Sequence, residues 1–214
     1  MTRSAEVRRI LDRYLVEVVE RHELCPWARA TRERGELSVA ILWGAPVVDD
    51  WAAAAAELLA APGARVAMVV APELAIARGE LSAVRDAVAA KLPAAGVAEF
   101  HPDAALDLAT PARLVPFLRR SPDPMLQLVP LALIDAARAA PPAADLALQA
   151  AMLGGRAAPR RELAAEIAAA NHAAVAAAHA AITAALDDIA ADRRDAYARA
   201  GISSGRRPPP RASR

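Results

Sequence analysis

Two segments of this chain hold a thiol and an imidazole at positions where each could react, and a third holds paired guanidinium groups. Cys25, in Leu24-Cys25-Pro26-Trp27-Ala28, is the single cysteine. A proline disfavours helix in the residue before it and suits the first turn of a new one, so the spacing predicts a short helix to about residue 34 with Cys25 as its N-cap. A thiol there meets oriented backbone N–H groups and the positive end of the helix dipole, which favour the thiolate and make it a nucleophile or redox thiol near neutral pH. The same residues also read as an apolar helix joint with cysteine as ordinary core. One cysteine excludes an intramolecular disulfide and a cysteine zinc cage, and fits a reducing, cytoplasmic compartment.

His101 closes an apolar run and precedes Pro102-Asp103, a place where α/β proteins present side chains at the carboxyl edge of the sheet. It reads either as a general acid/base or as a turn histidine bonded to Asp103 or to backbone. Arg119-Arg120-Ser121-Pro122-Asp123-Pro124 places two arginines and a hydroxyl on a stiffened loop. Such a loop suits bidentate capture of a carboxylate or phosphate by one of the arginines, or forms a solvated basic turn. His172 and His179 are two helical turns apart, roughly 10 Å, too far to chelate a metal as a pair. The dipole at the end of the first helix suffices to explain His22. The chain contains no Gly-rich phosphate loop, G-x-S-x-G elbow, H-E-x-x-H or C-x-x-C, so no metal site is assigned and no cofactor is named by motif.

The elements that must position these residues follow from periodicity. Apolar positions three and four apart make residues 5–21 an amphipathic helix. Residues 37–43, 65–71, 97–101 and 125–129 read as strands, separated by helices over about 50–60 and 80–92 and a short helix within 107–117. Strands alternating with helices predict an α/β fold, a mixed or parallel sheet of about four strands flanked by helices. Pro141-Pro142 marks a boundary, beyond which Ala-rich helices over about 144–152 and 161–198 extend the single domain of residues 1–200. Residues 201–214 have no large apolar side chain after Ile202, which predicts a disordered basic tail.

Composition bounds the partners. The 26 Lys and Arg against 25 Asp and Glu leave a net charge of +1, with no global field to draw the chain onto nucleic acid. The 56% apolar content is largely alanine, and the strongest apolar runs, 66–71 and 128–134, fall short of the roughly 20 residues of a membrane span. The charged amphipathic N-terminus lacks the apolar stretch of a signal peptide. Neither a nucleic-acid nor a membrane partner is expected.

Taken in order, Leu24-Cys25-Pro26-Trp27-Ala28, Phe100-His101-Pro102-Asp103 and Arg120-Ser121-Pro122-Asp123-Pro124-Met125-Leu126 resemble the bacterial family catalogued as domain of unknown function 1415, over about residues 5–180. Its pattern reads L-C-P-F-A, F-H-P and N-R-S-P-x-P-x-L-H-L-L-R. Here Arg119 stands in place of Asn, Gln127 in place of His and Pro130 in place of Arg. The resemblance implies a shared fold and one site region drawn from three segments; it carries no reaction. The sequence therefore leaves two readings. One is an enzyme acting on a small anionic metabolite, with Cys25 as nucleophile or redox thiol, His101 as acid/base and Arg120, with Ser121 and Arg119, as anion anchor. The other is a non-catalytic domain that binds a ligand in the same pocket, or forms an oligomer through its Ala-rich helices.

Overall fold

The computed structural model describes residues 2–139 and 161–203. Helix α1, Arg3–Tyr14, starts where Thr2 Oγ1 accepts the Ala5 amide at 3.2 Å, and its apolar stripe Val7, Ile10, Leu11 and Tyr14 is buried. The expected single α-helix to residue 21 does not continue. After Tyr14 the chain widens into a π-helical segment, Leu15–Glu20, with Arg21 N–H bonded to Val16 O and Leu24 N–H to Val19 O. The wider winding turns Leu15, Val18, Val19 and Glu20 all inward. Glu20 tolerates burial because Arg32 of α2, Ala28–Glu33, takes both carboxylate oxygens at 2.6 and 2.9 Å. Those bonds hold the Glu20 carboxyl below its usual range and fasten α2 to the π-helical segment.

The remaining elements are β1 Leu37–Ile41, α3 Val48–Ala60, β2 Val66–Val70, α4 Arg78–Lys91, β3 Ala95–Phe100, α5 Pro111–Leu118, β4 Met125–Pro130, α6 Leu131–Ala139 and α7 Arg161–Ala200. The strands lie in the order β1-β2-β4-β3. β1 and β2 are parallel, and β4 runs antiparallel to both β2 and β3. The expected four-stranded α/β sheet is present, and it is mixed. Helix α6, which the sequence reading left unassigned, follows directly on Pro130. The Pro141-Pro142 boundary and the helix expected over 144–152 lie outside the described residues.

Alternation along the strands builds two cores. Met68, Val70 and Met125 face α1, Phe117 of α5 and the buried Val175, Ile182, Ile189 and Tyr197 of α7. Ala67, Val69, Leu126 and Leu128 face Trp51 of α3 and Leu81 and Val88 of α4. The stretch Ile167–Ala200 of α7 is long and apolar enough to cross a membrane by length and composition, and its Val175, Ile182, Leu186, Ile189 and Tyr197 pack into the first core. Between α1 and α7, Arg9 and Arg13 bond Asp192 at 2.6 to 2.8 Å, and the bonds from Arg9 foremost hold the Asp192 carboxyl well below its usual range.

The expected start of the tail at residue 201 needs correction. Gly201, at φ +66, stops α7 as a left-handed cap, and the Ile202 amide returns to Tyr197 O at 2.9 Å. That turn seats Ile202 in the core at 4% exposure. One large apolar side chain is enough when the helix end aims it at a slot. Residues 204–214 lie outside the described residues. Ile202→Ala is expected to lower unfolding free energy by about 2–5 kcal/mol in urea titrations, the usual cost of truncating a buried isoleucine; an unchanged midpoint would mean that the residue is not docked.

Candidate functional site

β1, β2 and β3 all end at one edge of the sheet, where β4 begins. Ligands of α/β proteins commonly bind at such an edge. Beside β1, β2 and β4 it is crossed by side-chain bonds. Beyond β1 and β2, Glu73 accepts the Arg3 guanidinium, the Gly44 amide at 3.0 Å and the Ser203 amide at 3.1 Å. Arg3 also lies 4.2 Å above the Trp43 ring. Before β4, Asp123 is 2% exposed; its Oδ1 accepts Arg193 Nε at 2.7 Å and lies 2.6 Å from Arg193 Nη2, and its Oδ2 accepts Tyr197 Oη at 2.6 Å. Burial first, then the Asp123 charge, pushes the Tyr197 hydroxyl well above its ordinary range, so it remains a donor. Arg193 Nη2 also donates to Pro72 O at 2.9 Å, which locks α7 across this edge.

The β3 end is open. A cleft of about 250 Å³ lies there, lined by Arg78, Glu99, His101 and Arg119, with Ala104, Ala112, Val115 and Pro116 as its apolar part. Glu99 faces α4, where Ser82 Oγ donates to Oε1 at 3.4 Å and Arg85 Nη1 lies 3.4 Å from Oε2. Arg119 Nη1 stands 3.6 Å from the same Oε2. Glu99 thus steers Arg119 by charge, without a close hydrogen bond. Arg78 is exposed at the start of α4 and pairs with no acidic side chain among the described residues.

His101 is 4% exposed and both ring nitrogens are engaged. Nε2 lies 3.0 Å from Ile76 O and Nδ1 3.0 Å from the Asp103 amide. A carbonyl only accepts and an amide only donates, so the proton sits on Nε2 and Nδ1 is the acceptor. The His101 amide donates to Arg119 O at 3.1 Å. His101 therefore staples the β2–α4 loop, its own loop and the end of α5 together.

The other expected site residues lie elsewhere. Cys25 is not an N-cap: Trp27 holds that position and α2 begins at Ala28. The chain leaves the π-helical segment through a turn with Glu23 at φ +53, and Cys25 contributes its carbonyl to the Ala28 amide at 3.2 Å inside the next turn. Its half-buried thiol packs on the first core, near the buried Tyr14. Arg120 turns to Asp187 of α7 at 3.3 Å. Ser121 is buried and donates to Asp123 O at 2.6 Å, shaping the loop. None of these three lines the cleft. The structure thus brings His101 and Arg119 together and keeps Cys25, Arg120 and Ser121 out of their lining.

Arg78 and Glu99 were missed. Glu99 carried a signal, since it is the lone charge within an otherwise apolar strand; Arg78 had none beyond its place before a helix. His172 and His179 bond separate carbonyls, Leu108 O at 2.9 Å and Ala176 O at 3.1 Å. Among the described residues no three His, Cys, Asp or Glu side chains gather to hold a metal. No family model, curated protein or solved structure matches the chain.

With Cys25 outside the lining, alkylating it with iodoacetamide is expected to leave the amide NMR signals of residues 98–104 and 112–120 unmoved. Shifts spread across those two segments would put the thiol at the cleft.

Proposed function

We propose that this protein is a binding domain for a small anion, seated in the β3-edge cleft on the guanidinium of Arg119 with Arg78 at its mouth. The observation that carries this reading is the charge of the lining: two arginines face one carboxylate, and that carboxylate is shared with Arg85. A pocket with surplus cation and an adjoining apolar wall favours an anionic guest. The alternative, catalysis by Cys25 and His101 with Arg120 as anchor, needs those groups in one cleft. His101 instead has both nitrogens committed to backbone, and Glu99 Oε2 faces Arg85 and Arg119 at 3.4 and 3.6 Å. The geometry supports holding a ligand more than making or breaking a bond. In the resemblance to the domain of unknown function 1415, the F-H-P segment meets the residue just before R-S-P here, through the His101 amide and Arg119 carbonyl.

Acetate or inorganic phosphate titrated into ¹⁵N-labelled protein is expected to shift the amides of residues 99–104 and 112–120 saturably. A hydrogen bond to a charged group is worth about 1.5–3 kcal/mol, so Arg119→Gln is expected to weaken the binding about tenfold or more. Absence of saturable shifts, or equal affinity in the variant, would contradict the reading.

A further inference from the structure

Resting on the anion-binding reading, the lining also narrows the ligand's class: we infer that the cleft takes a short-chain aliphatic monocarboxylate. Three features lead there. The first is charge. Arg78 and Arg119 against Glu99 leave one surplus positive charge in the lining, which one carboxylate neutralises.

The second feature is register along α5. Val115 and Pro116 lie three and four residues after Ala112, and Arg119 caps the same helix one turn beyond Val115. Side chains at that spacing are neighbours on one face. A carboxylate held flat on the Arg119 fork therefore directs the carbon next to it along Val115 and Ala112, with buried Ala104 beside them. An inorganic ion would leave this apolar strip bare, whereas an alkyl tail covers it.

The third is size. About 250 Å³ is below the roughly 300–1,000 Å³ of pockets that hold drug-sized ligands, and it suits a guest of a few heavy atoms. The small side chains of Ala104 and Ala112 leave the room that a short chain needs.

The test is a calorimetric series on the full chain with acetate, propanoate, butanoate, succinate and inorganic phosphate. Each methylene added from acetate to butanoate is expected to tighten binding by up to about fourfold, the worth of one buried CH₂. Phosphate and succinate are expected to bind no tighter than acetate. Val115→Ser, with folding verified by its thermal melt, is expected to flatten the series. Equal affinity for all chain lengths, or succinate or phosphate binding more tightly than butanoate, would overturn the monocarboxylate class while the anion site stood. Failure of every anion to bind would overturn the anion-binding reading itself, and this inference with it.

Discussion

A buried carboxylate in the loop before β4 organises this molecule. Taking a carboxylate out of water costs several kcal/mol unless its oxygens are satisfied, and among the described residues Arg193 and Tyr197, some seventy residues away on α7, satisfy Asp123. The loop is built to deliver it. Ser121 Oγ closes a turn onto Asp123 O, Pro122 and Pro124 limit the backbone on either side, and Pro124 O accepts the Ala71 amide at 2.9 Å as β4 slips between β2 and β3. The insertion of an antiparallel strand between two parallel ones and the docking of α7 over the sheet edge therefore depend on the same side chain.

That weld decides where a ligand can go. With Arg193 bonded to Pro72 O and Glu73 gathering Arg3, Gly44 and Ser203, the exits of β1 and β2 are covered by both ends of the described chain. The cleft lies at the exit of edge strand β3, beside α5. There His101 fixes the relative placement of three loops, and Glu99 orients Arg119 without consuming its donors at close range. The His101 imidazole and amide hold the shape of the cleft's wall.

Most of the sheet was legible because its signal is local. Apolar runs bounded by Gly and Pro placed all four strands to within about two residues, and helix spacing placed α3, α4 and the long α7. What escaped depends on contacts remote in sequence or on winding that side-chain period does not encode. Val18 and Val19 suit the buried face of an α-helix as well as that of a π-helix, so the extra width after Tyr14, and with it the delayed start of α2 and the displaced Cys25, left no mark. Arg119 and Arg120 are indistinguishable as letters; the C-terminus of α5 sends one to Glu99 in the cleft and the other to Asp187 on α7. Ile202 looked too isolated to fold, yet the cap at Gly201 turns it inward.

The claim that Asp123 welds α7 to the sheet edge, and so leaves the β3 cleft as the open site, is tested most directly by a double-mutant cycle in urea between Asp123→Ala and Arg193→Ala. Two residues that share a buried ion pair are predicted to show a coupling energy of about 1.5–3 kcal/mol. Costs that add to within about 0.5 kcal/mol would mean that the two side chains act independently, and would contradict the account.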